Sequence, residues 1–105
     1  MYQLRIYTLR TAEALEDYAT AHWPRHIPSL RSFDVTTHGI WTDHTAAGHR
    51  LIALISYPEE ADPTEVTAAY MASSAFAADM DGFDVSNIVN VDEILLDPTA
   101  ASPLA

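Results

Sequence analysis

The sequence of 105 residues predicts an α+β domain whose elements follow the order β-α-β-β-α-β. Four segments are rich in β-branched and aromatic residues, which is typical of strands. Helix-start signals follow the first of these segments and the third. The length leaves room for one such domain. We expect it to span residues 1–98, with a C-terminal tail over residues 99–105.

The first strand and the first helix are predicted in the N-terminal third of the chain. Met1–Arg10 alternates with a period of two, as a strand does. Thr11 fits a helix N-cap, and apolar or aromatic side chains then recur every three or four residues, which predicts a helix over Ala12–Arg31. The prolines at positions 24 and 28 lack a backbone donor, so we expect a kink near Trp23 or a second short helix from Pro24.

The remaining elements are a hairpin, a second helix and a last strand. Val35–Thr42 and Arg50–Tyr57 flank a polar, glycine-containing connection, which is typical of a hairpin. An Asp-Pro pair opens a helix over Pro63–Ala72, with a short continuation over Ala75–Met80. Asn87–Leu96 predicts the fourth strand. This order is the ferredoxin-like plan, a four-stranded antiparallel sheet with its helices on one face.

Two of the predicted strands are apolar on both faces, although one face of such a sheet should meet water. Leu51–Ile55 lacks the expected alternation, and so does much of Ile88–Leu96. We therefore expect a second copy of the chain to cover the free face, giving a homodimer.

Composition and charge exclude several classes of function. A formal net charge of −10 disfavours nucleic acid and anionic lipid as partners. Cysteine is absent, which excludes disulfides and thiolate catalysis. The longest aliphatic run, Leu51–Ile55, is too short to cross a membrane, and the first strand leaves no room for a signal peptide, so we expect a cytoplasmic protein. The acidic residues, Asp79, Asp81 and Asp84 among them, are interpreted as a solvated coat.

The sharpest chemical feature is the histidine pair His22 and His26. A spacing of four residues places both imidazoles on one helix face, where they could meet a substrate. With no charged partner predicted beside it, an imidazole here should keep a pKa near its reference value, which suits general acid–base catalysis. The alternative is a packed or surface histidine whose ring nitrogen caps a carbonyl freed by a proline.

Arg5 and Tyr7 share one face of the first strand, about 7 Å apart. Arg5 could hold a carboxylate or enolate oxygen while Tyr7 donates to a carbonyl. An ion pair between Arg5 and Asp92 or Glu93, on the neighbouring fourth strand, is an equally good interpretation.

Further candidate residues for substrate binding are aromatic or imidazole side chains. Tyr18 lies on the same helix stripe as the two histidines, and Trp23 is either a pocket lid or a core anchor. His38, Trp41 and Tyr70 could line the same pocket. His38 and Trp41 have opposite strand phase, so both cannot do so in a regular strand, and packing is the stronger interpretation of Trp41.

No metal and no cofactor are predicted. Zinc needs three or four ligands, and neither a His-Glu-x-x-His motif nor a cysteine is present. The remaining histidines, His38, His44 and His49, form a dispersed set. A haem enzyme with His26 or His22 as axial ligand is a weaker alternative.

Four segments resemble NIPSNAP-type members of the dimeric α/β-barrel superfamily: YQLRIYTLR, AHWPRHIPSL, GIWTD and RLIALISY. The step from His26 to Pro28 also resembles the His-x-Pro step of EthD-like members. The resemblance covers most of residues 2–98 and implies two ferredoxin-like subunits packed sheet on sheet, each with a pocket between helices and sheet. Superfamily members include polyketide cyclases, cofactor-free monooxygenases, isomerases, haem degraders and stress-response proteins, so the fold is implied more narrowly than the chemistry.

Together these features predict a small cofactor-independent enzyme that acts on an apolar, aromatic or polyketide-like carbonyl compound. His26 would be the base, His22 or Tyr7 the acid, and Arg5 would stabilise the developing enolate, as in a cyclase, isomerase or monooxygenase. The alternative is a non-catalytic dimer, a binding or stress-response module whose pocket holds a small hydrophobic ligand.

Overall fold

The computed structural model describes residues 1–43, 45 and 48–104, and the predicted elements are present with boundaries within about one residue of expectation. The strands are β1 (Tyr2–Leu9), β2 (Thr36–Thr42), β3 (His49–Ser56) and β4 (Ile88–Leu96). The α-helices are α1 (Ala12–Asp17), α2 (Trp23–Arg31), α3 (Pro63–Met71) and α4 (Ser74–Asp79). A π-helical turn, Tyr18–His22, joins α1 to α2, and a 3₁₀ turn, Val85–Asn87, precedes β4.

The four strands form one antiparallel sheet in the order β2-β3-β1-β4, which is the ferredoxin-like topology. In this register Tyr7 of β1 stands between Leu51 of β3 and Val91 of β4. The molecule is only 19 Å thick in its shortest direction, which matches one sheet covered by a single layer of helices.

The predicted break in the first helix is the π turn. Pro24 cannot donate a backbone hydrogen bond, and the preceding N–H, that of Trp23, bonds to the carbonyl of Tyr18, five residues back. Pro28 was expected to interrupt the helix as well, but it lies inside α2, which continues to Arg31. As a result of the π turn, the consecutive residues His22 and Trp23 are both buried.

Strand β2 contains a bulge that corrects one expectation. The register shifts between Thr37 and Gly39, so that His38 and Gly39 lie on the same side of the sheet. His38 and Trp41, which should be opposite in phase in a regular strand, therefore share one face. The Trp41 indole ring lies over Gly39, where a Cβ atom would force the ring to move.

The two faces of the sheet are unequally covered. The face under the helices carries fully buried side chains, including Leu51, Ala53 and Ile55. The other face, which we call the open face, is also rich in apolar side chains. By strand register its apolar side chains are Tyr2, Leu4, Ile6, Trp41, Ile52, Leu54, Ile94 and Leu96, and Asp92, which pairs with Ile6, lies on the same face. Trp41 is 53% exposed and Ile94 is 46% exposed.

Within the described part of the chain, no helix has the length and apolar character that crossing a membrane requires. After β4, residues 97–104 form neither helix nor strand.

Replacing Leu51 by alanine should lower the free energy of unfolding by about 3 kcal/mol, because Leu51 is completely buried and its loss leaves a cavity. Urea unfolding followed by circular dichroism measures the change. The matched control is Leu95→Ala, since Leu95 is 57% exposed and should lose less than about 1 kcal/mol. Equal losses in the two variants would contradict the burial of Leu51 in the core.

Candidate functional site

A cavity of about 290 Å³ lies between the sheet and helices α2, α3 and α4, at the lower end of the usual size of small-molecule pockets. Most of its wall is apolar. Six of the nine predicted site residues line it: Arg5, Tyr7, Tyr18, Trp23, His26 and Tyr70. Strand β1, the π turn and helices α2 and α3 thus bring the imidazole, the guanidinium and three phenols to one cavity.

His26 is part of a buried hydrogen-bonded chain. Its Nδ1 lies 2.5 Å from the Tyr70 hydroxyl, and that hydroxyl donates to Asp79 Oδ2 over 2.6 Å. The His26 Nδ1 atom is itself 3.6 Å from the same carboxylate oxygen. All three side chains are buried, so these bonds form away from bulk water, where an unpaired polar group is costly.

Asp79 was expected to belong to the solvated acidic coat, and this expectation is wrong. The residue is only 7% exposed, because it ends α4 on the side of that helix that faces the cavity. Its backbone carbonyl also lies 2.8 Å from His22 Nδ1. A sequence signal existed: Asp79 follows Phe76 by three residues, and both Phe76 and Met80 line the cavity, so the three share one helix face.

The environment of His26 differs from the expected one in two respects. A carboxylate stands beside the ring, and burial lowers the pKa of His26 to about 4 in spite of that neighbour. The imidazole is therefore neutral at pH 7. Burial and the hydrogen bond to Asp79 raise the pKa of Tyr70, so its hydroxyl keeps its proton.

Arg5 is the cationic residue of the cavity wall and is held by neighbours on two strands. Its Nη2 lies 3.3 Å from Glu93 Oε1, which is the predicted ion pair, and its Nη1 donates to Gln3 Oε1 over 3.4 Å. Gln3 Nε2 donates to Glu93 Oε2 over 3.3 Å, and the Tyr57 hydroxyl donates to Gln3 Oε1 over 2.9 Å. Arg5 thus forms the predicted ion pair with Glu93 and also lines the cavity.

The Arg5 guanidinium is positively charged. Burial alone would lower the pKa of Arg5, but Tyr7 and Glu93 outweigh that effect and leave the pKa raised. The guanidinium carbon lies 5.5 Å from the centre of the Tyr7 ring, within the range of a cation–π contact. Burial raises the pKa of Tyr7, so its phenol is a neutral hydrogen-bond donor.

Tyr18 joins the aromatic groups of the wall. Its ring centre lies 5.4 Å from that of Tyr7, 6.4 Å from that of Trp23 and 5.9 Å from that of His26, all in edge-to-face arrangements. Burial raises the pKa of Tyr18 as well, so it is neutral. The cavity therefore has a rigid aromatic wall that carries several hydrogen-bonding groups.

Three of the predicted site residues lie elsewhere. His22 is buried behind the cavity wall, where Nδ1 meets the Asp79 carbonyl and Nε2 lies 3.3 Å from Asp17 Oδ2. Its contact with a carbonyl corresponds to the packed-histidine alternative, although the carbonyl belongs to α4 rather than to a proline break. His38 and Trp41 lie on the open face, and His38 Nε2 is 2.8 Å from Ser56 Oγ.

No cluster of three or more histidine, aspartate or glutamate residues that could hold a metal ion occurs in the ranges that the structure describes. His44 lies outside those ranges.

The chain matches the NIPSNAP family model over residues 2–103. It belongs to the NIPSNAP family. The resemblance predicted from the four sequence segments is thereby confirmed at the level of the family, whereas the likeness of the His-x-Pro step to EthD-like proteins stays a prediction. No curated protein matches this NIPSNAP chain.

Solved structures agree with the family assignment. A NIPSNAP family protein of unknown function from Agrobacterium tumefaciens is 18% identical, with a TM-score of 0.79 and coverage of 99% of this chain and 92% of that one. An uncharacterized NIPSNAP domain protein from Burkholderia xenovorans is 15% identical, with a TM-score of 0.76 and coverage of 97% of each chain. An antibiotic biosynthesis monooxygenase is 13% identical, with a TM-score of 0.59 and coverage of 94% and 99%. Such low identities establish the shared fold alone.

The lowered pKa of His26 makes the stability of this NIPSNAP protein depend on pH. Because the unfolded chain binds a proton near pH 6.5 and the folded chain only near pH 4, the contribution is complete above pH 6.5 and is lost as the pH falls toward 4. The expected loss between pH 7 and pH 4, relative to His26→Gln, is about 3 kcal/mol.

Urea unfolding at both pH values measures this difference, and a histidine titration by NMR gives the pKa of His26 directly. Comparison with His26→Gln removes the contribution of all other acid-sensitive groups to the change in the free energy of unfolding. Parallel loss of stability in the two proteins would show that His26 titrates normally.

Proposed function

We propose that this NIPSNAP protein is a homodimeric enzyme that needs no cofactor and transfers a proton from a small apolar or aromatic carbonyl compound, with His26 as the base. The observation that carries the proposal is the apolar cavity whose wall holds both a neutral imidazole, His26, and a charged guanidinium, Arg5. A base and a cation beside one apolar cavity are what the formation of an enolate requires.

In the proposed first step, the acidic C–H or O–H bond of the substrate breaks and its proton moves to Nε2 of His26. The electron pair left on the substrate spreads to its oxygen, where Arg5 and the Tyr7 hydroxyl stabilise the negative charge. We assign the donor role to Tyr7 rather than to His22, because Tyr7 lines the cavity and His22 does not. Return of the proton to another carbon gives isomerisation, and attack of the enolate on a second carbonyl gives cyclisation.

The ion pair of Arg5 with Glu93 supports this role. Glu93 is about half exposed at β4, so its carboxylate can turn toward water when a substrate oxygen approaches the guanidinium. Two of the Arg5 contacts also come from Gln3 and Tyr7, which keep the guanidinium in place. The fold likeness to an antibiotic biosynthesis monooxygenase is compatible with oxygenation as the step that follows proton removal.

The homodimer is proposed to form through the open face. An exposed, contiguous apolar sheet face is typical of a surface that a partner covers. The open face combines half-exposed Trp41 and Ile94 with the central pair Ile6 and Ile52. We further propose the cytoplasm as the location, which rests on the sequence alone.

A second candidate function is non-catalytic binding or a stress-response role. The low pKa of His26 favours it, because an imidazole with a pKa of about 4 is a weak base, and a pocket that only binds needs no strong one. A haem-binding role for His26 remains the third and weaker candidate.

The enzyme proposal predicts that the protein accelerates hydrogen exchange of small aromatic ketones, with 2-tetralone as the first probe, in D2O. His26→Asn should reduce this acceleration by at least about 100-fold, because it removes the general base. NMR of the probe measures deuterium at the acidic carbon. The matched control is His22→Asn, four residues away and outside the cavity, which should keep the wild-type rate.

A folded His26→Asn variant that exchanges the probes as fast as the wild type would contradict the enzyme proposal. Binding of the probes without any acceleration by either protein would favour the non-catalytic candidate. A Soret band shift on addition of haemin, lost in His26→Asn, would favour the haem candidate.

The homodimer proposal predicts that Ile94→Glu gives a monomer at micromolar concentration, because the open face would then bury an unpaired carboxylate. Light scattering coupled to size-exclusion chromatography measures the mass. Leu95→Glu is the matched control, since the next side chain of β4 points to the other side of the sheet, and it should leave a dimer. A monomeric wild-type protein would overturn the proposal.

A further inference from the structure

We infer that Asp79, acting through Tyr70, fixes His26 as the tautomer with its proton on Nδ1, so that the site takes ligands that offer an acidic O–H or C–H to His26 Nε2. This inference deepens the proposed function, because it concerns the same cavity and names the class of ligand. It assigns Asp79 and Tyr70 as positioning residues, since they act on the ligand through His26.

The tautomer follows from counting protons along the buried chain. A carboxylate carries no proton, so the bond between Tyr70 and Asp79 must use the single hydroxyl proton of Tyr70. The Tyr70 oxygen then has only lone pairs to offer His26. Since His26 Nδ1 lies within hydrogen-bond distance of that oxygen, Nδ1 must carry the proton.

The other ring nitrogen is the one left for a ligand. A neutral imidazole has one N–H, so Nε2 of His26 carries a lone pair and accepts a hydrogen bond. Nε2 makes no hydrogen bond with any residue in the described ranges, and the ring lines the cavity. Ligands with an acidic hydroxyl or an acidic C–H match this acceptor, whereas their methyl ethers do not.

Asp79 is required for this direction of bonding. Without its carboxylate, the Tyr70 hydroxyl would be free to donate to His26 Nδ1, and the imidazole proton would then sit on Nε2. The carboxylate has no competing cation at hydrogen-bond distance within the described residues, because Arg25 and His22 contact the Asp79 carbonyl instead. The carboxylate oxygen 3.6 Å from His26 Nδ1 also compensates the positive charge that the ring acquires with a proton.

The decisive experiment is a two-bond ¹H–¹⁵N NMR correlation of the histidine side chains in the full-length, ligand-free protein at pH 7. Loss of one set of signals in His26→Asn assigns that ring. We expect wild-type His26 as the Nδ1–H tautomer. A signal from the Nε2–H tautomer in the wild type would overturn the inference. Where His26→Asn fails to fold, through-bond assignment from the His26 backbone identifies the ring, so the wild-type measurement still decides.

Variants then separate positioning from mere packing. Asp79→Ala should convert His26 to the Nε2–H form, whereas Asp79→Asn should keep the Nδ1–H form, because its amide oxygen can still accept the Tyr70 proton. The matched control is Asp17→Asn, which changes the carboxylate beside His22 and should leave the His26 signals unchanged. A folded Asp79→Ala variant with the wild-type tautomer would show that Asp79 does not act on the ring.

The class of ligand is tested with 4-cyanophenol and its methyl ether, 4-cyanoanisole, as probes in calorimetric titrations. Wild type and Asp79→Asn should prefer the phenol by about 10-fold, the contribution of one buried hydrogen bond, and Asp79→Ala should lose this preference. Equal affinity of the wild type for both probes, or no binding of either, would overturn the ligand assignment. The tautomer is measured without any ligand or turnover. The tautomer inference can therefore be correct even if the protein shows no exchange activity, and exchange activity can be present even if the tautomer inference fails.

Discussion

Burial of the Asp79 carboxylate is the constraint on which the arrangement of the helices depends. A buried charge is stable only where hydrogen-bond donors surround it, and those of Asp79 come from another helix. Tyr70 of α3 donates to the carboxylate, while His22 of the π turn and Arg25 of α2 contact the backbone carbonyl of the same residue. One residue thus joins both halves of the helical layer. The helices α3 and α4 are short, so packing alone would hold them weakly.

The π turn makes the contact between His22 and the Asp79 carbonyl possible. Because Pro24 removes a donor, the helix takes a wider turn, and one extra residue is accommodated before α2 begins. His22 can then face Asp79 while Trp23 and His26 face the cavity. In a regular helix, His22 and Trp23 would point about 100° apart, and one of them would lean toward water. The proline therefore contributes to the site through the backbone, although its side chain does no chemistry.

The fold could be predicted from local signals, and the site only in part. Strand alternation, an N-cap and an Asp-Pro helix start are encoded within a few residues, so the element order followed from the sequence. His26, Arg5 and Tyr7 could be selected as candidate site residues because polar or titratable side chains are rare on the apolar faces of helices and strands. Asp79 was missed in spite of its three-residue spacing from Phe76, since it stands 53 positions from His26 in an acidic, turn-like stretch where solvation is the ordinary outcome. The bulge in β2 was not predicted for a similar reason, because it is a feature of the pairing between β2 and β3 and not of a local sequence signal.

Strand β1 links the chemistry of the cavity to the open face. Arg5 and Tyr7 point into the cavity, and Leu4 and Ile6 alternate with them toward the open face. A slip of one residue in the pairing of β1 would exchange the two sets, placing a guanidinium on the apolar surface and an aliphatic side chain beside His26. Both errors are costly, and each is avoided by the same register with β3 and β4. The apolar open face and the cavity that holds a charge therefore reinforce one another, since each specifies the register that the other requires.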